Sequence, residues 1–232
     1  MITKFTILGE RCSGTNYLEE LMKNNFYIDV TWNYGWKHYF GSYKFKNTED
    51  EDETLFIGIV RDPIHWLSSF FKKQYHINKP SEQSKDIHNF LFGELNSYHH
   101  NGTIVNSDLN PLTNKKYKNI FEMRFIKNYY LINKMPNNVK NYILINYEKL
   151  RDDTVNILST IENKFGLIKK NPIYKNIKYY KKSKNTLYKK SHKNEEISFP
   201  IKYQLLCLMN LNKIQEAKLG YNIYINQTKT KI

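Results

Sequence analysis

Phe5-Thr6-Ile7-Leu8-Gly9-Glu10-Arg11-Cys12-Ser13-Gly14-Thr15-Asn16-Tyr17-Leu18 begins on a short apolar run. It then turns through two glycines with four residues between them and enters a stretch of helical periodicity. Phe5 to Leu8 reads as a buried strand, and Tyr17, Leu18, Leu21 and Met22 recur at the spacing of a helix over Thr15 to Asn25. Small residues in such a loop let backbone N–H groups curl around an anion, and the helix N-terminus adds its dipole. A Walker A loop needs Lys and then Ser/Thr after its second glycine; Thr15 and Asn16 stand there instead, so ATP hydrolysis is not expected.

The strand-then-helix grammar repeats. Leu55 to Val60 is a second buried strand, ending at Arg61-Asp62-Pro63, where Asp62 suits a helix cap and Pro63 a first helical position. Trp66, Leu67, Phe70 and Phe71 then share a face. Further helices are expected over Asp86–Leu95, Ile120–Asn133, Thr154–Phe165 and Ile201–Leu219, with a third strand at Tyr142–Ile145. Strands alternating with helices predict a single α/β domain over 1–232, three layers deep around a mostly parallel sheet. In such sheets ligands sit beyond the carboxyl ends of the strands, so Gly9–Thr15 and Arg61–Pro63 should face one crevice.

Composition narrows the partners without choosing one. The formal net charge is +14, from 36 Lys+Arg against 22 Asp+Glu, which concentrates anions of any kind near the surface. The lysine- and tyrosine-rich stretch 169–193 reads as a basic loop. Two cysteines, Cys12 and Cys207, give no disulfide framework or zinc spacing, so a reducing, cytoplasmic setting is expected. No signal-peptide core or bilayer-length apolar run occurs. The His99-His100 pair has no ligand partners at metal-site spacing, and no Gly-x-Ser-x-Gly elbow is present.

Ser13-Gly14-Thr15-Asn16-Tyr17-Leu18 resembles the Ser-Gly-Thr-Thr-Trp-Leu loop of sulfotransferases, enzymes that use 3′-phosphoadenosine-5′-phosphosulfate (PAPS). The resemblance implies a sulfotransferase architecture of the P-loop-NTPase-like kind. It also implies that Ser13, Gly14, Thr15 and Asn16 hold the 5′-phosphate, with Tyr17 against the adenine. Cytosolic members carry a lysine where this chain has Cys12, and Arg11, the nearest cation, is the implied substitute in the same loop. A second segment, Val60-Arg61-Asp62-Pro63 through Ser69, is similar to the family's 3′-phosphate site, an arginine at a strand end and a serine eight positions on. Arg61 and Ser69 have that spacing.

Between the two lies Trp36-Lys37-His38, in the interval where the family keeps its general base. The resemblance implies that His38 takes the acceptor's proton and that Lys37 offsets charge on the transferring group. The family pattern has one residue between lysine and histidine; none stands there here. Asn146-Tyr147-Glu148-Lys149-Leu150 resembles the family's Tyr-Glu-Asp-Leu segment and would bring Tyr147 near the adenine, while Glu148 suits a helix cap.

The activity so implied is metal-free sulfuryl transfer from PAPS, leaving adenosine 3′,5′-bisphosphate. The acceptor would be a hydroxyl on a glycan, small molecule or protein tyrosine, with the basic charge favouring an acidic one. Two other readings stay open at this stage. One is a nucleic-acid-binding protein that grips phosphates and stacks bases with 169–193, which would leave the two strand-end motifs unexplained. The other is a degenerate member of the fold that binds nucleotide without turnover.

Overall fold

In a computed structural model of the chain, residues 1–77, 85–99, 101–105, 108–177 and 199–223 are described. The apolar run before Gly9 is strand β1 (Lys4–Leu8), and the periodic stretch after Gly14 is helix α1 (Thr15–Asn25). With β2 (Asp29–Val30), β3 (Thr54–Val60) and β4 (Tyr142–Asn146) they build a four-stranded sheet in the order β2-β1-β3-β4, every neighbouring pair parallel. The expected α/β class with a central parallel sheet is therefore present. All seven residues of β3 are buried, as a central strand covered on both faces requires.

Alternate strand residues project to opposite faces. On one face Phe5, Ile7, Leu55, Ile57, Ile59 and Ile145 share a core with Leu18, Leu21 and Met22 of α1 and with Leu158 and Ile161 of α8 (Thr154–Phe165). On the other, Phe56 packs against Tyr34 and Phe45. A Cβ on Gly58 would there come within 3.3 Å of Leu131 Cδ2. Leu131 lies in a π-helical turn (Tyr130–Lys134) that links α5 (Ile120–Tyr129) to α6 (Met135–Asn138), and its carbonyl accepts the Tyr142 hydroxyl at 2.7 Å. The helical stretch expected over 120–133 thus runs on to Asn138.

Short elements with little pattern were not anticipated: β2, α2 (Glu49–Asp52, closed by a Thr48–Glu51 capping box) and α7 (Tyr147–Asp152). Helix α3 (Pro63–Lys72) begins as expected, with Asp62 accepting the Ile64 and His65 amides and Pro63 at its first position. Helix α4 (Ile87–Phe92) is capped by Asp86 and stops before Gly93, three residues short of Leu95. The helix expected over 201–219 is two, α9 (Ile201–Asn210) and α10 (Lys213–Lys218), because the Asn212 side chain accepts the Gln215 amide and starts the second. Glu148 is not the cap of α7; Asn146 is.

The chain divides into two compact units, Met1–Arg61 with Tyr129–Glu195, and Asp62–Asn128 with Glu196–Ile232. The whole sheet and the loop after β1 belong to the first. In the second, α5 and α10 are joined by a buried bidentate pair between Arg124 and Glu216. Of the basic stretch 169–193, residues 178–193 lie outside the described residues. The described part runs back along α1: the Lys175 amide donates to Asn25 Oδ1, and Asn176 Oδ1 accepts the Tyr17 hydroxyl.

Candidate functional site

The strand order places β2 and β3 on opposite sides of β1, so the chain reverses its winding direction between β1 and β3. Loops leaving two such strands part to either side and open a crevice at their carboxyl ends. Here those ends are Gly9 and Arg61. Asn146, paired with Val60, brings Tyr147 to the same end of the sheet from β4.

The loop is tightly built. A Cβ on Gly9 would lie 2.5 Å from Ile59 Cγ2 and 2.8 Å from the Ile59 carbonyl oxygen, so only glycine lets β1 leave so close to β3. Ser13 closes the turn, its amide donating to the Glu10 carbonyl at 3.1 Å and its hydroxyl to the same oxygen at 2.5 Å. Cys12 and Gly14 take left-handed φ values of 63° and 95°. Gly14 is the N-cap of α1 and makes no side-chain cap hydrogen bond, so the N-cap position itself offers no side-chain acceptor to the first turn. Arg11 is buried, bonded through Nη1 to Glu10 at 2.8 Å, with its guanidinium 5.2 Å from the Tyr39 ring centroid.

Lys37 and His38 lie in the turn after β2 and reach the loop directly. Gly9 donates its N–H to the Lys37 carbonyl at 2.9 Å, and the Gly9 carbonyl stands 2.6 Å from His38 Nδ1. A carbonyl only accepts, so Nδ1 carries the hydrogen and the imidazole lone pair is on Nε2. Burial pushes the His38 pKa down to about 3; Glu10 opposes that shift, and Arg11 and Lys37 add to it. Trp36 meets the imidazole edge-on at 4.6 Å. The Lys37 ammonium donates to Asn16 Oδ1 and, at 3.2 Å, to Glu19 Oε2, and lies 5.5 Å from the Trp32 ring centroid.

Arg61, 6% exposed, donates from Nη1 to the Cys12 carbonyl at 2.9 Å, and its guanidinium lies 5.0 Å from the Tyr147 ring centroid. Arg151 approaches the same ring at 5.7 Å. Tyr147 in turn closes over Gly14, where an added Cβ would fall 2.2 Å from its Cδ2. Burial raises the Tyr147 pKa against the pull of both arginines, so the phenol stays protonated.

The first unit thus brings together Arg11, Cys12, Ser13, Gly14, Thr15, Asn16, Lys37, His38, Arg61 and Tyr147 from the sequence expectations. Tyr17 belongs to the core under the loop, 3% exposed, its hydroxyl bonded to Asn176 and near Thr154. Ser69 lies on α3, in the second unit. Sequence reasoning passed over Glu10, Glu19, Tyr39 and Arg151. Glu19 alone had a readable signal, three positions after Asn16 and so on the same face of α1.

Among the described residues, no group of three or more His, Cys, Asp or Glu is placed to hold a metal ion, and no helix is long and apolar enough to cross a membrane. No family model matches the chain, and no curated protein matches it by sequence. Among solved structures, the crystal structure of mouse sulfotransferase SULT7A1 complexed with PAP matches at 16% identity and a TM-score of 0.38, over 72% of this chain. The match covers 59% of that protein's chain, less than two thirds of its length.

Proposed function

We propose that the chain is a sulfotransferase that moves the sulfuryl group of PAPS onto a hydroxyl acceptor. The observation that carries this reading is the meeting of three segments at one switch point of the sheet. The Gly9–Asn16 loop, the Lys37-His38 turn bonded to it at Gly9 and Asn16, and Arg61 bonded to it at Cys12 form one connected set. Three cations and a helix N-terminus in that set suit a ligand with more than one anionic group.

PAPS would supply the activated sulfuryl group, its 5′-phosphate held by the loop and its 3′-phosphate by Arg61. His38 has its lone pair on Nε2 for the acceptor's hydroxyl proton as the new O–S bond forms. Arg11, Lys37 and the first-turn amides of α1 offset the negative charge on the phosphate oxygen as the old S–O bond breaks. Burial is the main cause of the low His38 pKa, and Arg11 and Lys37 add to it. An anion in the loop offsets those two cations and so shifts the imidazole toward a stronger base. The acceptor is a hydroxyl compound, and the +14 charge favours an acidic one. No disulfide joins Cys12 to Cys207, which suits work in a reducing compartment.

The test is calorimetric titration with adenosine 3′,5′-bisphosphate, with and without magnesium, followed by transfer from PAPS to a panel of phenols, glycans and tyrosine peptides. Binding to the wild type that is lost in Arg61→Ala, and transfer lost in His38→Ala, are the expected results. A wild-type protein that ignores the bisphosphate while binding ATP or RNA would overturn the reading.

A further inference from the structure

Lys37 is held in a way that charge alone does not favour. Its ammonium is bonded to Asn16, the second residue of α1, at the positive end of the helix dipole, where a cation is disfavoured. It is almost fully buried, and the Trp32 ring covers it from another side. What offsets this is Glu19, one turn further along the same face of α1, whose Oε2 accepts from the Lys37 ammonium at 3.2 Å while Oε1 accepts from Lys23 at 2.6 Å. Burial works to raise the Glu19 pKa, but its bonds to Lys23 and Lys37 outweigh that and keep it below the ordinary carboxylate value. The carboxylate therefore stays charged beside a loop suited to anions.

We infer that Glu19 is a positioning residue: it holds the Lys37 ammonium at the mouth of the loop and competes for it with an anion that enters. The inference rests on the proposed anion site but names a residue and a property which that reading does not contain. With no ligand, Glu19 neutralises Lys37 and keeps it ordered next to Asn16. With a phosphate or sulfate group in the loop, the ammonium turns its donors toward the stronger acceptor, and Glu19 keeps Lys23. Each binding event then includes partial loss of one ion pair. That lowers affinity for the anion and eases its departure after transfer.

The distinguishing consequence is a gain of affinity on mutation, which structural damage does not produce. Glu19→Gln should tighten both adenosine 3′,5′-bisphosphate and inorganic pyrophosphate by about fivefold, the effect expected from removing one competing charge near a partly buried site. In a Lys37→Met background the same change should shift affinity by less than about twofold, because the competition is gone. Glu19→Asp should stay near wild type, and thermal melting should show all four variants folded. Unchanged or weaker binding in a folded Glu19→Gln protein, or equal tightening with and without Lys37, would overturn the inference. A wild type that binds pyrophosphate but not the bisphosphate would sink the sulfotransferase reading and leave the Glu19 cycle to be run on pyrophosphate. Binding of neither ligand would overturn both.

Discussion

The imidazole of His38 donates its Nδ1–H to the carbonyl oxygen of Gly9 at 2.6 Å. Since the Gly9 amide also donates to the Lys37 carbonyl at 2.9 Å, both backbone polar groups of this one loop residue are bonded to the turn that carries the candidate base. Loop and base therefore move together. Gly9 itself has no room to shift, lying against Ile59 at the end of β3.

The two loop glycines should accordingly be intolerant, for different reasons. Gly9→Ala drives a methyl into Ile59, including its backbone oxygen at 2.8 Å. Gly14→Ala adds a left-handed φ of 95° to a 2.2 Å clash with Tyr147. Each should lower stability by about 1–3 kcal/mol in urea denaturation. Gly14→Ala should also weaken bisphosphate binding, since Tyr147 must leave its place over the loop. A fully stable Gly14→Ala protein would contradict this geometry.

Acid should destabilise the protein through His38. An imidazole in the unfolded chain titrates near 6.5, while in the folded protein burial holds it to about 3. Above pH 6.5 it is neutral in both states and its contribution to stability is complete. Between those values the unfolded chain takes up a proton that the native state refuses, so stability falls as pH falls, by up to about 1.4 kcal/mol per pH unit. His38→Asn keeps an amide donor near the Nδ1 position but does not titrate. Denaturation midpoints from pH 7 to pH 4 should fall less steeply for it than for the wild type, and identical slopes would rule His38 out as the cause.

Where local chemistry decided an element, its ends could be read directly. Thr15–Asn25 and Thr154–Phe165 match the expected helices because Gly14 and Gly166, both at positive φ, mark a boundary that other residues resist. Asp62 and Pro63 did the same for α3. The failures came where a weak local signal lay inside a strong pattern. Apolar residues recur at helical spacing through 201–219, and that pattern outweighs the single cap signal at Asn212 that divides the stretch. Strand β2, at two residues, is too short for any periodicity. In the site, motif residues were legible because they are sequential, whereas the Lys37–Glu19 and Arg61–Tyr147 contacts depend on how distant segments meet.

Arg61 should resist conservative replacement. Its guanidinium does two things at once, donating to the Cys12 carbonyl and lying over the Tyr147 ring, and a planar fork suits both where an ammonium suits neither as well. Arg61→Lys should therefore lose most of the bisphosphate affinity lost by Arg61→Ala, on the order of tenfold to a hundredfold, the scale of a charged hydrogen bond. Calorimetry on both variants checks this. Near-wild-type affinity in Arg61→Lys would show that charge alone, and not the fork, serves the site.

The second unit offers a prediction about stability that is independent of any ligand. Arg124 donates from Nε to Glu216 Oε1 at 2.6 Å and from Nη2 to Oε2 at 2.7 Å, with side-chain exposures of 6% and 1%, and its guanidinium lies 5.0 Å from the Trp66 ring centroid. Removing one member leaves the other charge buried without its counter-ion, which costs about 3–5 kcal/mol. Replacing both with apolar residues of similar volume removes the two desolvation penalties together. Arg124→Met and Glu216→Leu should thus each lower the denaturation midpoint sharply, while the double variant recovers most of the loss. Simple additivity of the two single effects would mean that the pair is not the tie between α5 and α10 that its geometry describes.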